Sequence, residues 1–151
     1  MSCIITPVTV TGQPIFRDLK AVHKAAEMLG LTCEERSSYR TYYGLSTGAS
    51  LVLSVPRNRQ AYEVGIVADP NNAGCYVPVL DTHNNGNGMC DFVGQPRGAG
   101  SQFNSCPKLI QYYQMAADAL GAAESGDEID FVDNGDGSWS SYSRTEARLG
   151  V

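Results

Sequence analysis

Side chains able to do chemistry are concentrated in one segment rich in glycine and asparagine. Asp81, His83 and Asn85 alternate at its start, and Cys90 follows a few residues later. Cysteine, histidine and aspartate are the residue types of a nucleophilic triad, in which a base activates the thiol and a carboxylate orients the base. Triads are usually assembled from parts of the chain that are distant in sequence. The short spacing therefore weighs against catalysis, and we expect a binding protein rather than an enzyme.

The same segment contains incomplete ligand patterns for two metals, calcium and zinc. A calcium loop has oxygen ligands at alternate positions, glycine at the sixth and a glutamate at the twelfth. The first six residues from Asp81 loosely resemble this pattern, but His83 is a poor third ligand for a hard cation and the twelfth residue is Phe92. Zinc would require His83, Cys90 and Cys106 to meet, and no closely spaced ligand pair is present. We expect no metal and no other cofactor.

Arginine and tyrosine alternate in a second segment, residues 36–43. A strand here would place Arg36, Arg40 and Tyr42 on one face. Arginines and exposed aromatic rings on a sheet are typical of proteins that stack single-stranded nucleic acid. The formal net charge of −5 disfavours that function, because affinity for nucleic acid comes largely from neutralising phosphates. Nucleic-acid binding through this strand is therefore our alternative hypothesis.

The charges are unevenly distributed along the chain. Residues 1–60 carry seven basic and four acidic side chains, whereas residues 61–151 carry four basic and twelve acidic ones. Seven of these acids lie between Asp118 and Asp136. An acidic surface of this kind can dock on a basic protein partner. Arg97, which is flanked by glycines, is a candidate contact for an anion or an acidic partner.

These residues must be positioned by a small set of helices and strands. Apolar spacing predicts a helix over about residues 15–29, and Pro14 just before it is compatible with the first helical position. A second predicted helix starts at Ser105 and ends at Gly121. An Asn-Gly and Asp-Gly turn predicts a hairpin over residues 129–142. Runs of β-forming residues predict further strands at residues 3–10, 31–43, 51–55, 62–68 and 75–80.

This order predicts one α+β domain over residues 1–151, with a Gly/Asn-rich loop insertion at about 81–105. We expect a ferredoxin-like (split βαβ) two-layer sandwich, with two helices on one face of a mainly antiparallel sheet. No apolar run approaches the roughly 20 residues of a membrane helix. No secretory signal is visible at the N-terminus. We therefore expect no membrane association and a cytoplasmic location.

Several short motifs occur in the order typical of a known family. They are Asp18-Leu19 through Leu29-Gly30, Tyr62-Glu63-Val64-Gly65-Ile66, Tyr76 to Asp81, Leu109-Ile110-Gln111-Tyr112-Tyr113, and Gly135 to Ser138. The chain resembles the uncharacterised hypothetical chloroplast reading-frame family of plastids and cyanobacteria, which also occurs in other bacteria and in bacteriophages. Where members of that family tend to carry aromatic residues, this chain has Thr82-His83-Asn84-Asn85. The resemblance implies a fold and a possible phage or bacterial origin, but no catalytic residue.

The leading hypothesis is thus an accessory binding protein, phage-encoded if the resemblance holds. It would engage a host or virion protein through the Gly/Asn loop and the acidic C-terminal third. A third hypothesis is a small-ligand or enzymatic pocket under the loop. The residues predicted to bind are Asp81, His83, Asn85, Arg97, Arg36, Arg40 and Tyr42.

Overall fold

The computed structural model describes residues 2–5, 15–95, 106–126 and 128–143. Three α-helices and nine strands occur in these residues. The helices are α1 (Leu19–Met28), α2 (Met89–Val93) and α3 (Pro107–Glu124). The strands are β1 (Ser2–Ile5), β2 (Thr32–Glu34), β3 (Tyr39–Thr41), β4 (Gly44–Ser46), β5 (Ala49–Ser54), β6 (Val64–Ala68), β7 (Tyr76–Val79), β8 (Ile129–Asp133) and β9 (Trp139–Ser143). The predicted α+β class with a mainly antiparallel sheet is confirmed.

The strands form three groups. A four-stranded sheet has the order β2-β5-β6-β7, a three-stranded sheet has the order β1-β9-β8, and β3 pairs with β4 alone. Every pairing between the described strands is antiparallel. The split βαβ arrangement is not confirmed, because neighbours in the four-stranded sheet follow chain order.

The core lies between one face of the four-stranded sheet and the helices. Leu51 and Leu53 of β5 and Ile66 of β6 are at most 4% exposed and pack in one cluster with residues of α1 and α3. The small side chains on the buried face of α1 allow close packing against α3, since they keep little bulk between the two backbones. The β3–β4 hairpin packs on the opposite face of the sheet, where Tyr39 contacts Gly65.

Helix α1 is shorter than predicted. Residues 15–18 are not helical, because Phe16 exchanges two backbone hydrogen bonds of 2.7 Å with Tyr76 and so extends the sheet. The helix begins after Asp18, whose carboxylate accepts the backbone N–H of Lys20 at 2.9 Å and caps the first turn. The predicted start at about residue 15 is therefore wrong, and Pro14 itself lies outside the described residues.

Helix α3 is longer than predicted and runs through Gly121 to Glu124. Nothing lies within 4 Å of a Cβ placed on Gly121, and its φ is not in the left-handed region. The left-handed residue that follows the helix is Gly126, with φ of 78°. The predicted hairpin over residues 129–142 is confirmed by β8 and β9.

The single strand predicted over residues 31–43 is wrong. The chain forms β2 at the edge of the four-stranded sheet and leaves that sheet after Glu34. It then forms β3, which pairs with β4 instead. Arg36 lies between the two strands, and Tyr42 lies in the turn after β3. The predicted alternation of Arg36, Arg40 and Tyr42 along one face is therefore wrong as well.

The described part of the predicted loop, residues 81–95, also contains regular structure, and residues 96–105 lie outside the described residues. Residues His83–Gly88 form a tight turn and lead directly into α2. No described helix is long and apolar enough to cross a membrane.

Candidate functional site

Large apolar side chains are exposed together at the turn of the β3–β4 hairpin. Tyr43 is 92% exposed, Leu45 69% and Tyr42 53%. The ring of Tyr42 meets Tyr43 edge to face at 5.0 Å between centroids, and it lies 4.2 Å from the ring of His83. We call these four residues the hairpin–loop surface, because the hairpin and the Gly/Asn segment both contribute to it.

Asp81 joins the two parts of the hairpin–loop surface. One carboxylate oxygen accepts the backbone N–H of Tyr42 at 2.8 Å, and the other accepts the N–H of His83 at 2.9 Å. The residue follows β7, which fixes it to the four-stranded sheet. Its position thus determines how the tyrosine ring and the imidazole meet.

Four successive residues after His83 adopt a left-handed backbone. The φ angles of Asn84, Asn85, Gly86 and Asn87 are 51°, 58°, 63° and 52°. We call them the Asn turn. Only glycine adopts this conformation without cost, and asparagine tolerates it better than most residues. The left-handed backbone of the turn therefore explains why these positions are asparagines.

Contacts with the segment before β6 hold the Asn turn in place. The carbonyl oxygen of Gly86 accepts the backbone N–H of Tyr62 at 3.0 Å, and the Asn87 amide donates to the carbonyl oxygen of Gln60 at 2.9 Å. The buried side-chain oxygen of Asn85 has no hydrogen-bond partner among the described residues. The turn is thus fixed by long-range contacts.

A buried ionic cluster lies beneath the hairpin. Glu63 is 3% exposed, and its carboxylate accepts hydrogen bonds from the Arg36 guanidinium, from Ser54 Oγ at 2.5 Å and from the backbone N–H of Arg40 at 2.8 Å. Ser54 and Glu63 lie on the sheet face opposite the helices, because they alternate with the core residues Leu53 and Val64. The hairpin covers this face and shields the Glu63 carboxylate from water, whereas the Arg36 side chain stays 31% exposed.

Two opposing effects act on the Glu63 carboxyl. Burial raises its pKa, whereas the hydrogen bonds from Arg36, Ser54 and the Arg40 backbone, together with the Arg36 charge, lower it. The net result is a pKa below the ordinary value, so Glu63 is ionised at neutral pH. The hydrogen bond from Arg36 to Glu63, together with the Glu63 and Glu34 charges, raises the pKa of Arg36. The pair is therefore a buried salt bridge that fixes the hairpin to the sheet.

The predicted binding residues separate into two groups. Asp81, His83 and Tyr42 meet at the hairpin–loop surface. Arg36 and Arg40 instead form internal bonds, since Arg36 contacts Glu63 and the exposed Glu34, and Arg40 donates to the carbonyl oxygen of Ala61 at 3.0 Å. Asn85 lies in the Asn turn behind the surface, and Arg97 lies outside the described residues.

The thiols considered for metal binding or catalysis are buried. Cys90 is 1% exposed and Cys106 is fully buried, and burial, with a smaller effect of the neighbouring Cys90, raises the pKa of the Cys106 thiol to about 12. His83 is exposed at the surface beside Tyr42. Among the described residues, no group of three or more His, Cys, Asp or Glu side chains is placed to hold a metal ion.

Sequence reasoning missed Glu63, Tyr43 and Leu45. Glu63 had a visible signal, because it is a single charged residue beside an otherwise apolar strand. A buried charge requires a partner, so this position indicates an ion pair. Tyr43 and Leu45 flank Gly44 and give no sequence signal of exposure, because their orientation depends on how the hairpin packs on the sheet.

We expect the substitution Asp81→Ala to loosen the hairpin–loop surface while it changes the free energy of global unfolding only slightly. It removes the acceptor for the N–H groups of Tyr42 and His83, and such exposed bonds contribute about 1 kcal/mol. The measurement is amide hydrogen exchange, in which Tyr42 and His83 should lose protection while the core strand β5 keeps it. Asp69→Ala is the control, because Asp69 makes similar local bonds in a separate turn. Equal protection of Tyr42 in the Asp81→Ala variant and the wild type would contradict the assigned role.

No family model, no curated protein and no solved structure matches this chain.

Proposed function

We propose that this chain is a non-enzymatic protein that binds a protein partner through the hairpin–loop surface. The observation that carries the proposal is the exposure of Tyr42, Tyr43 and Leu45 at a single hairpin turn. Tyrosine is enriched among the residues that dominate protein–protein binding energy, because it offers a large apolar area with few rotatable bonds.

The way in which the hairpin is held also supports the proposal. The Glu63 salt bridge, the packing of Tyr39 on Gly65 and the Asp81 hydrogen bonds fix the hairpin from three sides. A surface that is already rigid loses little conformational entropy on binding. The exposed rings can therefore act as anchors without first being ordered by the partner.

The internal hydrogen bonds of the two arginines favour a protein partner over nucleic acid. Arg36 and Arg40 are engaged beneath the hairpin, and Glu63 neutralises Arg36. The net charge of −5 adds a repulsive background for phosphates. The two arginines expected to accompany base stacking on Tyr42 or Tyr43 therefore bind internal acceptors instead.

Site-specific photocrosslinking tests the class of partner. A benzophenone amino acid replaces Tyr43 in one variant and Tyr142 in a control, and the cells that naturally make the protein are irradiated. Tyr142 is a suitable control because it is 45% exposed on a strand of a different sheet. We expect a discrete protein adduct from position 43 alone. Identical adducts from both positions, or adducts with nucleic acid alone, would reject the proposal.

Once the crosslinked partner is purified, we expect Tyr43→Ser to weaken its binding at least about tenfold, which is typical of losing one aromatic anchor. The melting temperature should stay within about 2 °C of the wild-type value, because a side chain that is 92% exposed contributes little to folding. Calorimetric titration of Tyr43→Ser beside Tyr142→Ser measures both effects. Equal affinities for the two variants would place the contact elsewhere.

A further inference from the structure

A cavity of about 420 Å³ lies between the start of α3 and the β8–β9 hairpin, away from the hairpin–loop surface. Its volume is within the range of about 300–1,000 Å³ that is typical of small-ligand sites. The walls come from three parts of the chain. They are formed by Gly94, Pro107, Lys108, Gln111, Tyr112, Asp133, Gly135, Gly137 and Trp139.

The cavity is held open by contacts that need no ligand. The buried side chain of Gln111 donates from Nε2 to the carbonyl oxygen of Gly137 at 2.7 Å, which ties the hairpin tip to α3. Asp133 lies directly opposite Trp139 in the β8–β9 pairing, so their side chains share one face of the hairpin. The lining residues therefore have fixed relative positions.

Two aromatic rings form a corner of the cavity. Tyr112 and Trp139 are nearly perpendicular, with an interplanar angle of 84° and 5.9 Å between centroids. The face of an aromatic ring carries negative potential, so a corner of two rings attracts an organic cation. The ammonium of Lys108 already lies 5.9 Å from the Tyr112 centroid, which is within cation–π distance.

The charge around this corner is negative. Asp133 lines the cavity, and among the described residues its carboxylate accepts one hydrogen bond, from the backbone N–H of Gly135. Burial raises the pKa of the Tyr112 hydroxyl, and the nearby Asp133 charge raises it further. The described part of the chain from Glu128 to Ser143 carries four acids and no base. Only Lys108 opposes this charge within the cavity lining.

We propose that this cavity binds a quaternary ammonium group, with Tyr112 and Trp139 against its methyl groups and Asp133 as the counter-charge. A methylated ammonium suits the corner better than a primary one, because it is weakly hydrated and makes no hydrogen-bond demands on the rings. The Lys108 ammonium competes for the Tyr112 ring and leaves it when the ligand enters. The ligand is either a small molecule such as choline or a trimethylated lysine side chain.

The fluorescence of Trp139 reports binding directly, because it is the single tryptophan of the chain. The wild-type protein is titrated with choline and with 3,3-dimethylbutanol, which has the same shape without the charge. We expect choline to change the emission and to bind at least about tenfold more tightly than the alcohol. A short trimethyl-lysine peptide, beside its unmodified form, distinguishes a peptide ligand from a free one. Equal binding of choline and the alcohol, or no response to choline and the peptide, would overturn the proposal.

Two variants make the charge argument specific. Asp133→Asn should weaken choline binding several-fold, since the amide keeps the acceptor for Gly135 but loses the charge. Lys108→Ala should strengthen it, because the competing ammonium is gone. Asp130→Asn is the control, since it removes a charge from the opposite face of the same strand. Weaker choline binding in Lys108→Ala, or equal losses in the two aspartate variants, would contradict the assignment.

Discussion

Removal of the Glu63 carboxylate is expected to lower the free energy of unfolding by about 2–3 kcal/mol. The substitution Glu63→Ala leaves the Arg36 guanidinium and the Arg40 backbone N–H without their shared acceptor beneath the hairpin. The loss is costly because the part-buried Arg40 N–H loses its acceptor there, and because Arg36, 31% exposed, keeps only the exposed Glu34 as its counter-charge. Urea unfolding at neutral pH measures the loss.

Glu34→Gln is a matched control for this substitution, because Glu34 binds the same arginine. The Glu34 side chain is 60% exposed, whereas that of Glu63 is 4% exposed. An exposed ion pair contributes about 0–1 kcal/mol, so we expect a much smaller loss for Glu34→Gln. Comparable losses for the two glutamates would show that burial is not the source of the effect. Glu63→Gln keeps the side-chain volume and allows the comparison if Glu63→Ala does not fold.

The Glu63 salt bridge also predicts how stability depends on pH. The pKa of Glu63 is lowered by folding, so the unfolded chain binds a proton more readily than the folded one. Its contribution is complete above the unfolded-state pKa and is lost as the pH falls through the folded-state pKa. We expect the stability difference between the wild type and Glu63→Gln to be constant above about pH 6 and to shrink below about pH 5. A difference that stays constant down to about pH 3 would contradict this assignment.

The sequence predicted the elements whose signals are local. The Asn-Gly and Asp-Gly turn of the β8–β9 hairpin and the apolar stripe of α1 are both present in the structure. The strand predicted over residues 31–43 was wrong, because its β-forming residues are divided between two sheets. Between the two strands, Arg36 binds Glu63, which is 27 residues away in the chain. A local pattern carries no information about such a contact.

The candidate site was predictable in part. Asp81, His83 and Tyr42 were selected by residue type, and they meet in the structure. The left-handed Asn turn was not predictable, because long-range bonds to Gln60 and Tyr62 stabilise it. The side chains of Arg36 and Arg40 were expected at a binding surface, yet they bind internal acceptors. Residue type identifies what a side chain can do, but burial determines whether an external ligand can reach it.

Gly65→Ala is expected to destabilise the protein by about 1–3 kcal/mol, the usual cost of overpacking. A Cβ atom at Gly65 would lie 2.7 Å from the ring atoms Cδ1 and Cε1 of Tyr39, well inside van der Waals contact. Tyr39 is 6% exposed and is the residue through which the hairpin packs on the sheet. Because the added methyl group must displace this buried ring, we also expect it to reduce the hydrogen-exchange protection of Arg40 and Tyr42.

A double-mutant cycle separates this clash from a general effect of the added methyl group. In a Tyr39→Ala background the ring is absent, and Gly65→Ala should then be neutral or stabilising by up to about 1 kcal/mol, because alanine favours a strand more than glycine does. Gly121→Ala in α3 is the control, since nothing lies within 4 Å of its Cβ and helix propensity predicts a gain of about 1 kcal/mol. Equal costs of Gly65→Ala with and without Tyr39 would show that the ring is not the obstacle. A coupling of at least about 1 kcal/mol would identify the Tyr39–Gly65 contact as the second attachment of the hairpin, independent of Glu63.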